Sequence, residues 1–150
     1  MDNIKRIEGV IVTPLNIIDN PNGDIYHIIR NFDMGFVGFG EVYISTVNYK
    51  AVKAWKKHLK MTSNFVVPFG TVKVVIYDDR KGSSTFGVVN EFVLSRNDYF
   101  RLTIPPTLWY GFTGLNRGEN MLLNFADISH NSTEQISSNG IDIGISYNWN

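Results

Sequence analysis

Apolar and polar residues alternate in short runs along most of this chain, and turn-forming residues break the runs at close intervals. The runs predict strands over residues 10–18, 25–30, 40–47, 52–58, 64–69, 71–77, 85–94, 100–104, 108–112, 121–126 and 141–147. They are rich in Val, Ile, Phe, Tyr and Thr, which suit a pleated, half-buried surface. Between them lie Asn22-Gly23, the stretch from Asp78 to Gly82, Asn97-Asp98, Pro105-Pro106 and Asn139-Gly140, all with turn chemistry. Only residues 95–99 read as a short helical turn, and no stretch sustains helical periodicity. Strands without intervening helices predict an all-β antiparallel sandwich or barrel. Residues 1–150 read as a single domain.

Local pattern gives some of the pairing. Phe69-Gly70-Thr71 joins two apolar runs by a tight hairpin or a sharp bend. In the second run Val72, Val74 and Ile76 share one face, and Lys73, Val75 and Tyr77 share the other. Gly70 is required if the backbone there takes a positive φ, although a strand glycine at a bulge fits as well.

Composition narrows the function classes. Lys plus Arg and Asp plus Glu number 14 each, so the net charge is zero, which argues against a nucleic-acid partner. No cysteine is present, which excludes disulfides, Cys-ligated metal and a thiol nucleophile. Aromatic residues reach 13%, an amount suited to a large interior or a buried interface. Glu8, Gly9 and Pro14 break the first apolar stretch, and no run approaches a membrane span. A cytoplasmic protein with no membrane partner is expected, and Asn131-Ser132-Thr133 reads as a polar loop rather than a glycosylation site.

Candidate chemistry concentrates between Trp55 and Asn64. On a strand Lys56 and His58 face the same way, so an inward face would bring a cation and an imidazole into one pocket. Such a pair suits proton transfer beside a carbonyl: the ammonium stabilises an enolate and the imidazole takes the proton. The competing reading is a solvated basic edge of Lys56, Lys57 and Lys60 that includes His58. Asn64 and Asn124 are polar positions inside apolar runs and need partners if buried. Trp55, Trp109 and Tyr43 would either stack a ligand or pack a core or interface. Arg80 reads as a turn ion-pair partner.

Several blocks together resemble the sugar-nucleotide 3,5-epimerases, the cupins related to dTDP-4-dehydrorhamnose 3,5-epimerase. They are the stretch from Gly40 to Ser45, the stretch from Val52 to His58, and Val74-Val75-Ile76-Tyr77-Asp78-Asp79-Arg80. Gly82-Ser83-Ser84-Thr85-Phe86-Gly87, Leu94-Ser95, Ile104-Pro105 and Gly111-Phe112 follow in the family's order. The resemblance implies a cupin double-stranded β-helix, a jelly-roll barrel, and a homodimer that exchanges N-terminal strands. It also implies a nucleotide-linked 4-keto-6-deoxy sugar as substrate.

Carried over by position, the resemblance alters the site. The His, His, acidic and His positions of metal-binding cupins fall on Lys56, His58, Ser63 and Tyr110, which predicts no metal and no cofactor. The epimerase base position falls on Lys56, the family Lys on Ser63 and the family Tyr on Leu123. Lys53 matches a family Arg that contacts substrate, but its alternation is out of phase with Lys56. The catalytic candidates are therefore Lys56, His58 and Tyr110, and the substrate-binding candidates are Lys53, Asn64, Asn124 and Tyr43. Three outcomes stay open: an epimerase with rearranged residues, a cupin that only binds a sugar nucleotide or supports a partner enzyme, and a 3,4-ketoisomerase. Lys56 and His58 pointing away from the barrel interior would remove the catalytic readings.

Overall fold

A computed structural model describes residues 4–150. The chain forms β1 (Ile11–Pro14), β2 (Ile17–Ile18), β3 (Ile25–Tyr26), β4 (Glu41–Thr46), β5 (Val52–His58) and β6 (Ser63–Phe69). It continues through β7 (Thr71–Tyr77), β8 (Val89–Ser95), β9 (Phe100–Ile104), β10 (Trp109–Gly114), β11 (Met121–Ala126) and β12 (Gln135–Ser137). A 3-10 turn, Ser132–Glu134, precedes β12. Two five-stranded antiparallel sheets, ordered β1-β9-β6-β11-β4 and β12-β5-β10-β7-β8, face each other, and β2 and β3 form a separate ribbon. This is the all-β antiparallel architecture that the alternation predicts, in the barrel form that the resemblance implies.

The core lies between the sheets. Val72, Val74 and Ile76 of β7 meet Phe65 and Val67 of β6, Leu102 and Ile104 of β9, and Leu122 of β11. Period-two side-chain alternation explains it, since these residues occupy every second strand position. At Gly70 the chain leaves one sheet and enters the other, with φ +78°. A Cβ there would stand 2.3 Å from the Glu119 carbonyl oxygen, so the bend requires glycine.

The outer face of the β5–β10–β7 sheet carries a second cluster of Trp55, Val75 and Trp109. Ile143, Ile145, Tyr147 and Trp149 cover it. The alternation over residues 141–147 thus reports burial on one side, but the segment is not a strand. Gly144 N–H bonds to Ile141 O and Ile145 N–H to Gly140 O, and this turn breaks the extended path. Residues 96–98 form a turn rather than a helical one, and β12 lies where no strand is expected. Among the described residues, no helix is long and apolar enough to cross a membrane.

Candidate active site

β5 and β10 run antiparallel, with Lys57 opposite Trp109, Lys56 opposite Tyr110 and Lys53 opposite Phe112. The register shifts between Tyr110 and Phe112. Gly111 makes room for this shift, because a Cβ there would meet Ala54 Cβ at 2.5 Å. Either side of the irregularity, Lys53 and Lys56 end up on the same inward face. The expected out-of-phase alternation of Lys53 is corrected here: strict parity fails across a bulge.

Lys53 and Lys56 line a cavity of about 360 Å³ with Tyr43, Ser45, Ala54, Trp55, Phe65, Tyr110, Phe112, Leu122 and Ser137. That volume lies within the range of small-molecule sites, roughly 300–1,000 Å³. Lys53 Nζ donates to Ser45 Oγ at 3.1 Å and to the Thr46 carbonyl at 2.7 Å. Lys56 is half-buried, and among the described residues no carboxylate pairs with it. An ammonium so placed is available to an oxygen anion in the cavity.

His58 also points inward, but it stands behind Tyr110 and does not line the cavity. The two side chains are 4% and 5% exposed. Their rings stack with centroids 5.8 Å apart, and the Tyr110 hydroxyl is 3.0 Å from His58 Nε2. His58 Nδ1 bonds to Glu134 Oε1, and Glu134 Oε2 accepts the Lys60 and Met61 amides at 3.2 Å each. With the Nδ1 proton facing the carboxylate, Nε2 is the ring nitrogen left to accept from the Tyr110 hydroxyl. Burial works against the Glu134 carboxylate, but the His58 hydrogen bond and the two amides outweigh it and hold the group below the usual carboxylate range. Burial drives the Tyr110 phenol well above its ordinary value, helped by nearby Tyr43 and Glu134.

The opposite wall comes from the other sheet. Asn124 of β11 is fully buried beside its register partner Tyr43 of β4. Its Nδ2 donates to the Tyr43 hydroxyl oxygen at 3.1 Å, and its Oδ1 accepts the Asn64 amide at 3.1 Å. The Tyr43 hydroxyl proton is left for the cavity, so Asn124 holds a cavity group without lining the cavity itself. The Asn64 side chain turns to the outer face of its sheet. There it donates to the Gly35 carbonyl at 3.1 Å and accepts from Thr103 Oγ1 at 2.6 Å. The structure does not bring it to the cavity, because Phe65 and Val67 claim the inward parity of β6.

The remaining positions sort by face. Ser63 borders His58 and Tyr110, whereas Leu123 lies opposite in parity to the inward Leu122 and Asn124. Trp109 belongs to the outer cluster; Trp55 packs in the same cluster and also borders the cavity. Arg80 pairs with Asp78 at 2.9 Å in the turn after β7, as expected. Glu134 is the site residue that the sequence pattern does not reveal. The available signal is Asn131, which caps the 3-10 turn by accepting the Thr133 amide, with Glu134 three residues on.

A barrel that closes a cation and two tyrosine hydroxyls around one small-molecule cavity has the make-up of a cupin isomerase. Comparison with known proteins is specific on this point. No protein-family model matches the chain. The chain is 30% identical over 127 residues to the probable low-salt glycan biosynthesis epimerase Agl13 of Haloferax volcanii, a match covering 83% of this chain and 80% of that protein. It is 26% identical over 147 residues to the spore coat polysaccharide biosynthesis protein SpsL of Bacillus subtilis, covering 96% and 97%. Among solved structures it is similar to a dTDP sugar isomerase from Desulfovibrio desulfuricans G20. That match has a TM-score of 0.91 and 36% identity, over 95% of this chain and 92% of that one. The chain belongs to the sugar-nucleotide epimerase family of cupins, the family its motifs resemble, and is an isomerase-type enzyme.

Proposed function

We propose that the protein isomerises a nucleotide-linked 4-keto-6-deoxy sugar by proton transfer at the carbon beside the carbonyl, and that it does so as an epimerase. The observation that carries this reading is the pairing of Lys56, which has no carboxylate partner among the described residues, with Tyr110 in one cavity wall. A bound ketone places its oxygen against the ammonium. Removal of the adjacent proton sends the C–H electrons into a carbon–carbon double bond and the carbonyl pair onto that oxygen, where Lys56 stabilises the enolate. Tyr43 offers its hydroxyl proton from the opposite sheet, so the carbon is reprotonated on its other face and its configuration inverts. Lys53 at the cavity edge supplies charge for the diphosphate. This route needs no metal, because Lys56 provides the positive charge.

A nucleotide-sugar substrate supports a cytoplasmic location for this reaction. The exposed edge strand β4, with Val42 51% and Ile44 54% accessible and Phe39 67% accessible beside it, supports assembly as a homodimer. The test is incubation with a dTDP-4-keto-6-deoxyhexose in heavy water. Ring-proton exchange and appearance of the epimer are expected. Exchange with transfer of the carbonyl to the neighbouring carbon would identify a 3,4-ketoisomerase instead, and tight binding without exchange would identify a non-catalytic cupin.

A further inference from the structure

The buried groups behind Tyr110 decide which way a proton moves through that residue. We infer that Glu134, His58 and Tyr110 form a relay that makes Tyr110 the group accepting the substrate proton, with Glu134 as the positioning residue that sets the relay's direction. The inference rests on the proposed isomerase reading and deepens it.

The Glu134 carboxylate accepts two backbone amides and the His58 Nδ1 proton. Its donors are fixed by the chain around Lys60 and Met61, so the carboxylate cannot turn away from the imidazole. His58 Nε2 is then left with a lone pair, and the partner within reach is the Tyr110 hydroxyl at 3.0 Å. That hydroxyl spends its proton on His58 and presents oxygen lone pairs to the cavity. Across the cavity the polarity is reversed: the Tyr43 oxygen accepts from Asn124 and keeps its proton to give.

The step balances within these groups. The Tyr110 oxygen takes the proton from the carbon beside the carbonyl as its own proton passes to His58 Nε2. The C–H bond breaks, its electron pair forms the enolate double bond, and the negative charge settles on the oxygen beside Lys56. His58 becomes an imidazolium whose Nδ1–H keeps its hydrogen bond to Glu134, so the new positive charge meets a carboxylate already in place. After reprotonation from the Tyr43 side, exchange with water returns a proton to Tyr43 and removes one from His58. Glu134 therefore supplies what burial alone would deny, a stabilised imidazolium between two nearly inaccessible side chains.

The experiment follows deuterium exchange at the ring carbon of a dTDP-4-keto-6-deoxyhexose, together with dTDP affinity and the thermal midpoint. Glu134→Gln and Tyr110→Phe are each expected to slow exchange by about 100-fold or more, the usual scale for losing general acid–base catalysis. The dTDP affinity should stay within about twofold of wild type, and Glu134→Asp should restore part of the rate. The double variant Glu134→Gln/Tyr110→Phe should be no slower than the slower single variant, because the two residues act as one unit. Multiplicative loss in the double variant, or near wild-type exchange in Glu134→Gln, overturns the relay while leaving the isomerase reading intact. Absence of exchange in the wild type overturns both.

Discussion

The two faces of strands β5 and β10 put the same residue types to opposite uses. On the inner face Lys56 has no carboxylate partner among the described residues, and Tyr110 joins a chain of buried titratable groups. On the outer face, one residue along, Lys57 Nζ lies 2.5 Å from Asp79 and 4.8 Å from the Trp109 ring centroid. Trp109 Nε1 donates to the other oxygen of the same carboxylate at 2.8 Å. The outer charge is consumed by structure, and residues of the C-terminal segment seal the aromatic cluster around it. The inner charge is left available. The pleat therefore decides the role of each lysine, and the composition of Trp55-Lys56-Lys57-His58 does not.

The sharpest way to break this division is Lys56→Met. The side chain keeps its reach and loses its charge, so the enolate loses its electrostatic partner. Turnover should fall by about 10²–10³-fold, the cost typical of removing one preorganised stabilising group. The thermal midpoint should hold or rise, since no carboxylate is stranded by the change. Exchange of the ring proton and thermal unfolding measure the two sides. A variant that loses stability but keeps its rate would show the inner lysine to be structural after all.

How much of this was legible beforehand depended on whether a feature is local. The strand at Val52–His58 and the shared face of Lys56 and His58 follow from alternation, but that this face is the inner one does not, since a solvated basic edge has the same pattern. Lys53 was named through the resemblance but placed out of phase, because alternation assumes a regular ladder, and the register shift opposite Gly111 restores it to the inner face. The chain's neutrality and lack of cysteine limited the chemistry without locating it. Glu134 was out of reach because its partner His58 lies 76 residues away and its own segment is short and polar. Asn64 shows the reverse case. Its burial was legible as a demand for partners, but the partners at Gly35 and Thr103 belong to the outer face.

A smaller effect separates the faces by acidity. Glu134 titrates below its unfolded value of about 4.3, so its contribution to stability is complete above that pH and fades as pH falls through the lower folded value. Asp78 is held well below the usual range; its burial opposes this, and hydrogen bonds from Arg80, Thr85 and Ser83 outweigh it. Stability should therefore decline below about pH 4, where the unfolded chain binds more protons. Glu134→Gln should flatten the part of that decline due to the inner site and leave the part due to Asp78. At the alkaline end burial pushes Tyr99 up to about 12, so its contribution is complete below about pH 10 and is lost as pH rises toward 12. Denaturant unfolding across pH resolves both limbs, and an acid limb unchanged in Glu134→Gln would contradict the account of the buried carboxylate.

The smallest expected effect belongs to Lys57→Met. Its side chain is 13% exposed and its partner Asp79 is 28% exposed, so water shares the work of solvating the pair. Loss of the ammonium leaves Asp79 with the Trp109 indole donor, and the methionine stem still covers the ring. A cost of about 1 kcal/mol in denaturant unfolding is expected, at the upper end for solvent-accessible pairs. Turnover should stay within about twofold of wild type, because the general acid–base and charge-stabilising groups lie on the other face. Equal kinetic losses in Lys57→Met and Lys56→Met would mean that the sheet transmits charge across its thickness, and the separation of the two faces would fail. Equal stability losses would not mean that, because adjacent residues share one strand whatever their chemistry. The decisive quantity is therefore the difference in rate between two lysines that neighbour each other in sequence and face opposite sides of one strand.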